Sequence, residues 1–217
     1  MPSLAVCTAS SRDPKWPYTF CIAQLMANLK GFERATLNIE LGSVCQMARH
    51  RLVDIARRDG YSHILFIDDD MRFPADCADR LLARNKPIVA ANYVCRVFPV
   101  VPLSAKNGER VYSNGKSGLE SVDHAPAGMM MIETSVFDHL PMPWFNTQFL
   151  PETPSEYMGE DVFFCRLARE HGYDVWIDHD LSHEIGHVGG IEFHEQLAIP
   201  PEKIPSLVEL VKREVAA

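Results

Sequence analysis

Gly60-Tyr61-Ser62-His63-Ile64-Leu65-Phe66-Ile67-Asp68-Asp69-Asp70-Met71-Arg72-Phe73-Pro74 is the stretch on which the fold turns. Its apolar run, Ile64 to Ile67, is short and stops abruptly at three carboxylates, the pattern of a central buried strand. Pro74 suits the first turn of a helix running to about Arg84. Upstream, Val44, Met47, Ala48, Leu52, Ile55 and Ala56 share one helical face over residues 44–59, and Gly60 suits the C′ position. Further back, Leu4-Ala5-Val6-Cys7 reads as a second buried strand passing into polar Thr8-Ala9-Ser10-Ser11. A helix over 18–30, carrying Phe20, Ile22, Leu25, Met26 and Leu29 and stopped by Gly31, leads to a strand over 35–41. Downstream, Pro87 to Val94 gives another apolar strand. Strand and helix alternate, so the first half predicts a largely parallel sheet with helices on its faces.

The second half is less regular. Asn107-Gly108 and Asn114-Gly115 are hairpin-turn signals. Gly128 to Ile132 predicts a strand feeding a short helix near 134–140, and 141–157 a proline-rich loop holding Trp144 and Phe145. Met129-Met130-Met131 suits a core, where the flexible thioether fills irregular gaps. A helix over 159–171 ends at Gly172, and Val175-Trp176-Ile177 returns as a strand. Ser206 to Val215 can form a small amphipathic helix against the body or a second subunit.

With 217 residues, one domain is expected: a nucleotide-binding half (1–100), a catalytic and acceptor half (101–198) and a helical tail (199–217). Lys+Arg 21 against Asp+Glu 29 gives a net charge of −8, which disfavours non-specific binding to a polyanion. No apolar stretch approaches the ~20 residues of a membrane-spanning helix. The opening Met1-Pro2-Ser3-Leu4 has no basic n-region before a long apolar run, so no secretory signal is expected. The six cysteines include no C-x-x-C pair and sit mostly among apolar neighbours, which suits a reducing, cytoplasmic protein.

The acidic triplet carries the chemistry. Alternation along a strand places Asp68 and Asp70 on one side and Asp69 on the other. Two carboxylates a few ångströms apart repel unless a cation or water separates them, and oxygen ligands of this kind suit Mg²⁺ or Mn²⁺. The carboxyl ends of strands are where parallel α/β sheets bind ligands. Asp is equally at home in a helix cap or a solvated turn.

Ala48-Arg49-His50-Arg51-Leu52-Val53 followed by the stretch from Gly60 to Pro74 resembles the donor half of a GT-A fold glycosyltransferase, of the compact family-2-like type found in bacteria and phages. Ala127-Gly128-Met129-Met130-Met131-Ile132 is similar to the strand beside the acceptor site of that family. Gly159-Glu160-Asp161-Val162-Phe163-Phe164-Cys165, Gly172-Tyr173-Asp174-Val175-Trp176 and Gly186-His187-Val188-Gly189 resemble its catalytic helix, following strand and closing His-x-Gly. The ordered match covers residues 44 to 190.

The resemblance implies a single-domain α/β GT-A-like fold with a mixed, mainly parallel sheet flanked by helices. It implies transfer of a sugar from a nucleotide-diphosphate donor, a UDP-sugar by family habit, to an unidentified hydroxyl acceptor. Asp68, Asp70 and His187 would hold Mn²⁺ or Mg²⁺, with Asp70 the direct ligand and Asp68 near the ribose. Asp161 would act as base, with Glu160 orienting acceptor or sugar. The acidic residues also suit the first turn of a helix, where the dipole would lower the pKa of Asp161 unless burial compensates. Thr8, Ser10 and Arg12 would reach the base or ribose, with Asp69 also on the donor. Gln46 and Arg49, three apart on one helical face, would meet the donor, Arg49 through phosphate. Gly128 and Trp144 would face the acceptor, although buried packing suits Trp144 equally. A homo-oligomer through the C-terminal helix would fit so short a chain.

A rival pattern exists. His183-Glu184-Ile185-Gly186-His187 is a literal H-E-x-x-H, the mark of a zinc peptidase when it lies on a helix. Gly186, Gly189 and Gly190 weaken such a helix, and Phe193 stands where the extended pattern wants a third histidine. A third class, a catalytically silent nucleotide-sugar-binding module, would keep Asp68 and Asp70 and need no base.

Overall fold

The computed structural model describes residues 1–10, 13–42, 44–150 and 153–198. The first strand, β1 (Ser3–Ser10), is buried on both sides, as a strand covered by helices on both faces must be. Helix α1 (Trp16–Asn28) leads to β2 (Arg34–Leu41), and α2 (Cys45–Arg58) to β3 (His63–Ile67). Then come a two-residue strand β4 (Met71–Arg72), helix α3 (Cys77–Ala83) and β5 (Ile88–Ala90). A hairpin of β6 (Ala105–Lys106) and β7 (Glu109–Arg110) precedes β8 (Leu119–Val122) and β9 (Met129–Glu133). Short α4 (Val136–His139) is followed by a second hairpin, β10 (Gln148–Leu150) and β11 (Thr153–Met158). Helix α5 (Glu160–Glu170), strand β12 (Val175–Asp178), short α6 (His179–Ser182) and strands β13 (Gly186–Val188) and β14 (Glu192–His194) come last.

The central sheet runs β2-β1-β3-β9-β5-β12-β8. Five of its strands point one way; β9 and β8 run against their neighbours. This is the mixed, mainly parallel α/β sheet the sequence predicts. Alternate residues of each strand enter opposite cores. Ala5, Cys7, Ile64, Phe66, Met130 and Ile132 pack under α2, α4 and α5. Leu4, Val6, Leu65, Ile67, Met129 and Met131 pack under α1 and α3. The three methionines are core residues, divided between the two faces.

Local differences from expectation have simple causes. Helix α1 starts at Trp16 and leaves Phe20 exposed, because Tyr18, Cys21, Ile22 and Leu25 form the buried stripe. The stripe of α2 is Ala48, Arg49, Leu52, Val53 and Ala56, so Val44 and Met47 are exposed. Asn107 (φ 52°) and Gly108 (φ 80°) are both left-handed and close the β6–β7 hairpin as a type I′ turn requires. At Asn114-Gly115 only the glycine is left-handed (φ 77°), and the N–H of Lys116 bonds the carbonyl of Ser113 at 2.9 Å. That is an isolated type II turn, not a hairpin. The segment expected to be a loop up to Tyr157 contains the β10–β11 ribbon. Its prolines read as breakers, yet a two-stranded ribbon has an open edge where a missing N–H is tolerated. The expected helix over 206–215 lies outside the described residues.

Candidate functional site

Strand β3 ends at Ile67, and the next three residues form a turn in which the N–H of Met71 bonds the carbonyl of Asp68 at 3.3 Å. Strand alternation therefore stops, and Asp69 does not face away from its neighbours. All three aspartates line one cleft of about 260 Å³ with Ser10, Cys45, Arg49 and Glu160. The cleft sits at the carboxyl ends of β1 and β3, where a parallel sheet opens to ligands.

Asp69 ties this turn to β1. The Ser10 hydroxyl donates to its Oδ2 at 2.6 Å, and its carbonyl accepts the N–H of Lys15 at 2.8 Å. Thr8, expected to reach the donor, is instead buried: its hydroxyl bonds that of Tyr18 at 2.7 Å, inside the layer beneath α1. Strand parity explains this, since Thr8 shares its face with Leu4 and Val6. Gln46 is half-buried on α2 and is not among the residues lining the cleft. Arg12 lies outside the described residues.

Arg49, 3% exposed, lies beneath the cleft. Its Nη2 donates to Asp68 Oδ1 at 3.0 Å, its Nε lies 3.4 Å from Glu160 Oε1, and its guanidinium covers the Phe66 ring at 5.2 Å. It thus joins α2, the end of β3 and the start of α5, and is not a cation left free for phosphate. Burial pushes the Asp68 carboxyl up from its ordinary value, against the pull of Arg49. Gly128 closes the arrangement from β9. Its carbonyl accepts the N–H of Asp68 at 3.1 Å and its own N–H donates to the Tyr93 hydroxyl at 3.0 Å. A Cβ there would strike that hydroxyl and lie 2.7 Å from Asp68 Oδ2, so only glycine fits. Gly128 positions Asp68 and is buried at the β9 end of the cleft; it is not among the residues lining the cavity beside Asp161.

Asp70 and His187 meet because β4 pairs with β13, putting His187 opposite Met71. His187 Nε2 is 3.5 Å from Asp70 Oδ2, and Arg96 Nη1 donates to the same oxygen at 2.6 Å. Burial opposes ionisation of Asp70, but His187 and Arg96 outweigh it and hold the carboxyl below its ordinary value. His187 Nδ1 donates to the Val94 carbonyl at 2.7 Å. A carbonyl can only accept, so Nδ1 carries a proton and Nε2 is the nitrogen that faces Asp70. Lone pair against carboxylate is repulsive unless a proton or cation lies between them. Asp70 Oδ1 is buried and has no hydrogen-bond partner among the described residues.

These groups fit a divalent cation: one carboxylate oxygen without a partner and one imidazole nitrogen facing the same carboxylate. Asp68 does not join them, because its Oδ1 is engaged by Arg49. Among the described residues no three His, Cys, Asp or Glu side chains form a ready-made metal shell. One or two carboxylates are the usual protein share for Mg²⁺, whose remaining positions go to phosphate oxygens and water.

Glu160 and Asp161 begin α5 and face different spaces. Glu160 lines the acidic cleft; Asp161 lines a neighbouring cavity of about 510 Å³ with Leu103, Arg110, His124, Tyr157 and Val162. Burial, with Glu160 adding to it, raises the Asp161 carboxyl above its ordinary value, against the pull of Arg49 and the Val162 N–H. Burial therefore prevails over the helix terminus, as a base requires. Trp144, expected at the acceptor, is a core residue at 2% exposure. Its indole N–H bonds the Leu140 carbonyl at 3.2 Å, and its ring stacks on His50 and meets the edge of Phe137.

The H-E-x-x-H pattern is not on a helix. Helix α6 ends at Ser182, and His187 lies in β13. His183 Nε2 donates to the Lys116 carbonyl at 3.0 Å, and Glu184 accepts from Arg80 at 2.7 Å. The zinc-peptidase geometry is thereby excluded. Two residues of the site escape the sequence: Tyr93 and Arg96. Their only signal is position, a tyrosine and a lone arginine in the apolar run just past β5.

No family model matches the chain, and no curated protein matches it. Among solved structures the fold is similar to that of A197 from STIV, at 13% identity over 87% of this chain and 86% of that one, with a TM-score of 0.58.

Proposed function

We propose that the protein is a metal-dependent glycosyltransferase, moving a sugar from a nucleotide-diphosphate donor, a UDP-sugar, to a hydroxyl acceptor. The observation that carries this reading is the Asp70 carboxylate just past β3, with a buried Oδ1 that lacks a hydrogen-bond partner among the described residues and an Oδ2 that lies 3.5 Å from His187 Nε2. Mn²⁺ or Mg²⁺ held there would supply Lewis-acid stabilisation of the charge developing on the departing diphosphate. Arg96, beside Asp70, adds a positive charge for the same phosphates. Ser10 and Asp69 line the β1 side of the cleft, where the nucleoside would lie. Arg49 holds Asp68 and Glu160 in place from below. Across the start of α5, Asp161 takes the acceptor's hydroxyl proton on its carboxylate as the oxygen bonds to the sugar carbon and the sugar–diphosphate bond breaks.

All six cysteines are free, which fits a reducing compartment, and we place the protein in the cytoplasm on that ground. No helix among the described residues is long and apolar enough to cross a membrane.

A thermal-shift panel of nucleoside diphosphates with and without Mn²⁺ tests the assignment. A ligand that binds only the folded chain, at about 100-fold excess over Kd, adds ~2.7 kcal/mol. One diphosphate, UDP first, is expected to stabilise the protein only with the metal present. Absence of a metal-dependent shift with every nucleotide would remove the proposal.

A further inference from the structure

We propose that the cavity beside Asp161 selects acceptors that carry a negatively charged group, phosphate or carboxylate, on an apolar body. The role of Asp161 in this inference rests on the glycosyltransferase reading; the binding itself does not.

The cavity, about 510 Å³, is of the size that takes a small molecule. Leu103, Met158 and Val162 give it apolar walls, and Asp161 is the one carboxylate among its described lining residues. Arg110 lines it from β7. Its guanidinium donates to the Leu103 carbonyl at 3.3 Å and has no carboxylate within ion-pair distance among the described residues.

That is unusual for this chain. Arg49, Arg57, Arg72, Arg84, Arg96 and Arg169, for example, are each paired with an aspartate or glutamate. Arg34, which is also unpaired with a carboxylate, is occupied by two carbonyls and the Tyr61 ring. In a chain of net charge −8 an arginine can readily find an acidic partner; Arg110, exposed on β7, has none among the described residues and lines the cavity. Asp123, between β8 and β9, is engaged by Arg169 at 2.9 Å and by the Asn107 N–H.

His124 stands on the same wall. Burial, and then Arg110, lower its pKa, so it meets a ligand as a neutral imidazole and does not duplicate the cation. The arrangement is a carboxylate for a hydroxyl, apolar surface for a body, and one uncommitted cation for an anion.

Two probes with the same ring test this: 4-nitrophenyl phosphate and the neutral 4-nitrobenzyl alcohol. Each is titrated by calorimetry at low salt with EDTA, so that the metal-free acidic cleft repels phosphate. Wild-type protein is expected to prefer the phosphate by about fivefold, the scale of one accessible ion pair. Arg110→Gln is expected to equalise the two probes, and Arg110→Lys to keep most of the preference. Equal affinity in wild type, a preference that survives Arg110→Gln, or no binding of either probe would overturn the inference. None of these outcomes bears on metal-dependent binding of UDP, which does not involve Arg110, so the two proposals fail separately.

Discussion

An Asp161→Asn protein is expected to lose transfer by about 10²- to 10⁴-fold while binding UDP and Mn²⁺ as wild type does. Asp161 faces the cavity beyond α5 and Glu160 faces the acidic cleft, so the substitution leaves the donor side intact. The ionised carboxylate is the form that accepts a proton. Burial raises its pKa from the ordinary value, so its ionised fraction falls at a higher pH than for a free aspartate. The acidic limb of kcat/KM is expected there, and residual activity of the variant should lack it. A buried group whose ionised form is disfavoured contributes no stability at neutral pH, so the variant's Tm should not fall. Unchanged turnover in Asp161→Asn would exclude it as the base. Tight binding of donor by a wild-type protein that shows no turnover would point to a binding module.

Arg49→Met should be the most destabilising substitution in the site. Removing one partner of a buried ion pair leaves the other charge uncompensated, at about 3–5 kcal/mol. In a domain of this size that corresponds to a fall in Tm on the order of 10 °C. The cause is specific: Asp68 and Glu160 both face the lost guanidinium, and burial already disfavours ionised Asp68. Arg49→Lys should recover part of the loss, since it restores charge without the planar fork that reaches two carboxylates and a carbonyl. A Tm within about 1 °C of wild type would show that water reaches this cluster.

Periodicity was enough to read the sheet and its flanking helices, because β1, β3, β5 and β9 are buried runs bounded by clear breakers. Helical spacing also puts Arg49 in the buried stripe of α2, since positions 49, 52, 53 and 56 are one face. Thr8 could likewise have been assigned to the core from strand parity with Leu4 and Val6. The meeting of Asp70 with His187 was not legible from local pattern. It depends on two residues of β4 pairing with a strand more than a hundred positions away, and no local propensity encodes that register. The same holds for Arg96 and Tyr93, which become site residues only through contacts to Asp70 and Gly128. For Trp144 the proline-rich stretch left acceptor stacking and buried packing equally open, and its ring completes the core beneath α4.

Crystals soaked with MnCl₂ and UDP, with anomalous scattering collected at the manganese edge, test the central claim most directly. The account predicts one peak bound by Asp70 Oδ1 and His187 Nε2 and shared with the diphosphate, with Arg96 released from Asp70. A manganese peak elsewhere, or UDP seated with no metal at Asp70, would contradict it.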